Sequence, residues 1–118
     1  MTRPWNREDD ALIARVAEGW RDDRKRTGYW VDSTEVSRLF PPDYPADLLA
    51  SVRAAEAWRK KDPGRWWSIE SPNRIDSPFL ACCYFNGNVE ESNYDEAEAG
   101  TPAEALALAL RSACEGER

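Results

Sequence analysis

Residues 65–70 read RWWSIE, residues 79–100 read FLACCYFNGNVEESNYDEAEAG, and residues 101–114 read TPAEALALALRSAC. Asn86-Gly87, set between an apolar run and a polar alternating run, is a strong short-range signal for a tight β-turn. Thr101-Pro102-Ala103-Glu104 has the composition of a helix start: a capping hydroxyl, a proline at the first helical position and a glutamate able to bond back to the cap. The second half of the chain therefore reads strand, strand, strand, helix.

Within this stretch Trp67 and Ile69 share one face of the first strand and Trp66 takes the other. In the second strand Phe79, Ala81, Cys83 and Phe85 alternate with Leu80, Cys82 and Tyr84, so both faces are apolar. Such a strand is expected at the centre of a sheet, covered on both sides. The third, from Val89 to about Glu98, is polar on both faces and suits a sheet edge guarded by charge. In the closing helix Ala103, Leu106, Ala107, Leu110 and Cys114 form a narrow buried stripe that leaves Leu108 outside it, exposed or facing a partner chain.

Working outward, Asn6 followed by Arg7-Glu8-Asp9-Asp10 is a capped start with acids in the first turn. Leu12, Ile13, Val16, Ala17 and Trp20 recur at helical spacing, and Gly19 offers a stop. Residues 21–43 mix charges without a sustained period and end in a double proline; the expectation is a long loop with one helical turn at Thr34 to Leu39. Loops of that length are often functional. Pro45 then opens a second helix with Asp47 in its first turn, Leu48, Val52, Ala55 and Trp58 on its buried side, and Asp62-Pro63-Gly64 as its end.

The expected fold class is α+β. A single sandwich-like domain over residues 1–118 holds a three-stranded antiparallel meander packed with about three helices, in the order α-α-β-β-β-α, with the charged loop at about 21–43. A chain of 118 residues supports one modest core. No apolar run approaches the roughly 20 residues that span a bilayer, and MTRPWNREDD has no apolar signal region, so a cytoplasmic location is expected. Adjacent Cys82 and Cys83 point to opposite faces of a strand and, with Cys114, read as buried thiols rather than a disulfide framework. Trp20, Trp58 and one of Trp66 and Trp67 read as core, whereas exposure of Trp5 or Trp30 would mark a recognition surface.

The net charge of -6 is uneven. Residues 1–64 hold 12 basic and 12 acidic side chains, residues 65–118 hold 4 and 10. Glu90, Glu91, Asp95, Glu96 and Glu98 crowd into one ten-residue segment, which repels nucleic acid and membranes' anionic surfaces and attracts basic ones. The chain has no histidine, which removes the usual general base, the commonest metal ligand and every Ser-His or Cys-His nucleophile. Asp95 with Glu96 or Glu98 could hold magnesium or move protons, but no phosphate-cradling glycine loop accompanies them, and a solvated edge is the simpler reading. No enzyme activity, cofactor or metal is expected.

YPADLLASVRAAEAWRKK at 44–61, the Trp-containing strand and hairpin, and AEAGTPAEALALALRSA at 97–113 together resemble the phage ABA sandwich domain family. LIARVAEGW, ending in Gly19-Trp20, resembles its first helix. Tyr44 and Asp47 resemble its second helix start, and Ala99 to Ala103 its approach to the last helix. The resemblance spans about residues 8–114 and departs from the family at Pro45 and in the length of the 21–43 segment. It implies a phage or prophage origin, a layered helix and sheet domain and no established activity.

Two binding readings follow. In the first, Glu90, Glu91, Asp95, Glu96 and Glu98 dock on a basic surface of a host or defence-system protein, as an inhibitor. In the second, Arg24, Lys25, Arg26, Tyr29 and Trp30, where base and aromatic character meet, hold a phosphorylated nucleotide by charge and stacking; the plain alternative is a solvated charge run beside aromatics tucked on the core. A phage accessory protein with only a homo-oligomeric interface is the third possibility.

Overall fold

The computed structural model describes residues 4–72, 74–85 and 94–116. Among these, α1 (Arg7–Val16) is closed at its start by a full capping box: Asn6 Oδ1 accepts the Glu8 and Asp9 amides, and the Asp9 carboxylate accepts the Asn6 amide. Two of the helix's orphan donors are thereby satisfied. Leu12, Ile13, Ala14, Ala17 and Trp20 are buried, and Gly19 turns the chain with φ +76.

The 21–43 segment is ordered differently from the expected loop with a helical turn. It forms a miniature antiparallel sheet of β1 (Arg21–Asp22), β2 (Trp30–Val31) and β3 (Ser37–Arg38), in that order. Side chains rather than strand length hold it. Asp32 accepts from the Thr34 and Val36 amides, the Thr34 hydroxyl and Arg38 Nε, which folds 32–38 back on itself and leaves Glu35 at φ 66. Asp23 does the same work at the first turn, accepting from the Lys25 amide and the Ser37 hydroxyl. Asp side chains often replace backbone turns in this way, and that chemistry carries no periodic signal.

A 3-10 turn at Tyr44–Ala46 takes Pro45, and α2 spans Leu48–Lys60. Asp47 is therefore its cap, accepting from the Ala50 amide at 3.1 Å, rather than a residue of its first turn. The buried face is also rotated from the expected one. Ala50, Ser51, Ala54, Ala55 and Trp58 are buried, whereas Leu48 is 42% exposed and Val52 only partly covered. Small residues at 50, 51 and 54 suit close approach to Tyr44 and α3; the Ser51 hydroxyl donates to the Tyr44 carbonyl at 2.6 Å.

The second sheet has the expected order, β4 (Trp66–Glu70), β5 (Phe79–Tyr84), β6 (Tyr94–Ala99), antiparallel throughout with Trp67↔Cys83 and Cys83↔Asp95 in register. The Asn86-Gly87 turn and residues 89–93 of the expected third strand lie outside the described residues. The last helix, α3 (Pro102–Glu115), begins as its sequence indicates, with the Thr101 hydroxyl accepting the Glu104 amide at 3.2 Å.

Helix α3 is the hub. It packs on β4, β5 and β6, on α1, on α2 and on the 3-10 turn. Its buried surface is accordingly far wider than a stripe, adding Ala105, Ala109, Arg111 and Ala113, and Leu108 packs against the core. Ala81, Cys83 and Ala99, with partly buried Trp67, Ile69, Phe79, Phe85 and Ala97, form the sheet's side of that core. Thus β6 is apolar on its inner face at Ala97 and Ala99, not polar on both.

Among the described residues, the two sides of the central strand differ. Its outer residues Leu80, Cys82 and Tyr84 lie outside the core cluster, and Cys82, paired with Ser68 and Glu96, is itself buried.

Candidate functional site

The outer face of the second sheet follows from strand alternation: Trp66, Ser68 and Glu70 on β4, Leu80, Cys82 and Tyr84 on β5, Tyr94, Glu96 and Glu98 on β6. At one end a ladder of rings crosses all three strands. Trp66 stacks on Tyr84 with centroids 3.7 Å apart and planes 6° from parallel, and Tyr84 meets Tyr94 at 5.4 Å. At the other end Glu70 and Glu98 flank Leu80, and Glu96 stands beside Cys82, its Oε2 4.0 Å from Sγ. These nine positions hold three exposed carboxylates and no cation.

The expected acidic set is divided by this geometry. Glu96 and Glu98 are exposed on the outer face. Asp95 is on the inner face, half-buried, and burial, followed by the Glu115 charge, pushes its carboxyl up. Glu90 and Glu91 lie outside the described residues. Glu70, which sequence reasoning passed over, joins the face through its pairing opposite Leu80, 10 residues away across the 71–78 connection.

The basic-aromatic set is divided too. Arg24, Lys25 and Arg26 are exposed at the β1–β2 turn, with Arg26 4.4 Å over the Tyr29 ring. Trp30 turns away from them and packs on the core, under Arg15 at 5.2 Å. Together with Trp5 and Phe40 it lines a cavity of about 670 Å³. The rings there already carry the chain's own guanidiniums: Arg7 over Phe40 at 5.1 Å and Arg111 over Trp5 at 5.2 Å. In the same wall Asp10 accepts from Trp5 Nε1 and the Tyr44 amide, and its carboxyl is pushed up to about 6, chiefly by burial.

A second cleft, of about 330 Å³, opens between the meander, the end of α1 and α2. Buried Glu18 anchors one wall, accepting from the Tyr44 hydroxyl and from Arg53 Nε at 2.7 Å. Asp32 anchors the other through Arg38 Nε at 3.1 Å. Both arginine side chains are 55% exposed. Ser33, Thr34, Trp20 and Phe40 complete the lining. Arg38 and Arg53 are 15 residues apart in segments of mixed charge, so no spacing in the sequence marks them as a pair.

The thiols are buried and unpaired. Burial pushes Cys83 up and Cys114 up to about 12, so neither is poised as a nucleophile. Among the described residues no helix is long and apolar enough to cross a membrane, and no group of three or more His, Cys, Asp or Glu is placed to hold a metal ion.

The fold defines an α+β domain in which one sheet face is packed on helices and the other, among the described residues, carries rings and carboxylates outside the core cluster. A crystal structure of a phage protein from Bacillus cereus ATCC 14579 is similar to it, with a TM-score of 0.66 over 98% of this chain and 93% of that one, at 11% sequence identity. At that identity the likeness is one of fold. No family model matches the chain, and no curated protein matches its sequence.

Proposed function

We propose that this chain is a phage-encoded, non-enzymatic binding protein of the host cytoplasm that docks through the outer face of β4–β6 on a basic surface of a host or defence-system protein. The observation that carries this reading is the face itself: Trp66, Tyr84 and Tyr94 form a rigid aromatic platform, and Glu70, Glu96 and Glu98 border it with no cation among them. Aromatic side chains give contact area at little entropic cost, and a field of one sign selects partners of the other. DNA and anionic membranes are repelled by the same field. The fold shared with the Bacillus cereus phage protein supports the phage origin.

The test is a pull-down from host lysate with wild type and with Glu70→Lys, Glu96→Lys, Glu98→Lys. A partner captured by the wild type and lost by the triple variant is the expected result; equal capture by both rejects the face. Asp95→Lys is unsuited to this test because it would place a charge on the inner face.

A further inference from the structure

We infer that the cleft between the meander and α2 binds a phosphorylated small molecule, its phosphate held by the outward ends of Arg38 and Arg53 and its organic part lying against Phe40. This inference does not rest on the docking surface, since the cleft is built from the end of α1, the meander and α2, none of which contributes to the outer sheet face.

The two guanidiniums are prepared in the same way. Each donates through Nε to a buried carboxylate, Asp32 or Glu18, whose side chains are 9% and 3% exposed. Among the described residues neither arginine uses its terminal Nη atoms in a hydrogen bond or ion pair. A guanidinium fixed at Nε keeps its outer edge as a preorganised fork for an oxyanion. Buried anchors of this kind reduce the ordering cost that weakens most surface arginine contacts.

The cleft also carries Glu18, Asp32 and Asp47, and their number argues for a cation until their oxygens are followed. Asp32 already accepts four donors. Glu18 accepts one donor at each oxygen, and Asp47 caps α2 through the Ala50 amide. Asp32 and buried Glu18 are committed to the protein, Asp47 keeps Oδ2 at the exposed rim, and the Nη groups and the Ser33 hydroxyl are open. At the guanidinium end of the cleft the open groups are donors, which suits an oxyanion there. A volume of about 330 Å³ is at the small end of ligand sites and fits a phosphate on a compact organic group. Phe40, 60% exposed, supplies the apolar wall.

Titration of isotopically labelled wild-type protein with inorganic phosphate and with adenosine 5′-monophosphate, followed by NMR, tests this directly. Saturable shifts at the Arg38 and Arg53 side chains and at Ser33, larger with the nucleotide than with phosphate, are expected. Absence of shifts with either probe at about 10 mM, weaker than any useful affinity, overturns the inference. So do shifts centred on Arg24, Lys25 and Arg26. Arg38→Lys keeps the charge but loses the fork, and calorimetry should find about tenfold weaker nucleotide binding at an unchanged fold; unchanged affinity overturns the assignment.

Discussion

Arg111 Nη1 donates to Asp9 Oδ2 at 3.2 Å, joining the first turn of α1 to the C-terminal half of α3 across 102 positions of sequence, with side chains only 5% and 3% exposed. The pair closes the molecule between its terminal helices. Asp9 also serves the α1 capping box, so one carboxylate links local and global order.

Breaking this pair from one side leaves a charge stranded away from water. Arg111→Met should lower unfolding free energy by about 3–5 kcal/mol, read as a lower urea midpoint at constant slope. Asp9→Asn with Arg111→Met together should recover part of the loss. A single variant within about 0.5 kcal/mol of wild type would show that the pair is not desolvated in solution.

Asp10 has the opposite character. Its folded pKa of about 6 lies above the ordinary aspartate value of 3.8, chiefly through burial. A raised acid binds more protons folded than unfolded, so stability from this group is greatest below pH 4 and falls as pH rises to 6. Asp10→Asn keeps an acceptor for Trp5 and Tyr44 and has no proton to lose. After allowance for partial wetting, its Tm at pH 7 should exceed that of wild type by about 2–5 °C, with the difference vanishing near pH 4. An equal gain at both pH values would assign the effect elsewhere.

Asp32 titrates the other way. Burial pushes its carboxyl up, but donors from Thr34, Val36 and Arg38 outweigh it and hold it near 2. Its contribution is present above pH 4 and is lost as pH falls from 4 toward 2. Asp32→Ala should unfasten the meander while leaving the main sheet intact. Hydrogen exchange at the Thr34 and Val36 amides should quicken by about tenfold or more, since each loses its acceptor; unchanged protection there would mean the strands hold themselves.

The stacked pair on the open sheet face has a measurable coupling. A double-mutant cycle over Trp66→Ala and Tyr84→Ala should give about 0.5–1.5 kcal/mol beyond the lost area. A coupling near zero would mean the rings are not held together without a partner.

Much of this architecture is legible in local sequence. Asn6 with Asp9 and Thr101 with Glu104 mark two helix starts because a cap and the amides that donate to it are near neighbours. Alternation from Phe79 to Tyr84 marks the central strand because side-chain direction follows backbone pleat. Glu96 and Glu98 share the outer face by the same parity. Chain pairing decided the rest. Two-residue strands in 21–43 have no period to read, and they exist because Asp23 and Asp32 hold the turns between them and Asp23 reaches the Ser37 hydroxyl. The dry appearance of Leu80, Cys82 and Tyr84 suggested a second covering layer, yet rings and carboxylates from the flanking strands occupy that side instead. The width of α3's buried surface, the rotation of α2 and the placing of Arg38 and Arg53 on one cleft depend on which elements pack together. Sequence records the preferences of neighbouring residues, whereas these features arise from contacts between residues far apart in the chain, whose energies exist only once the fold has closed.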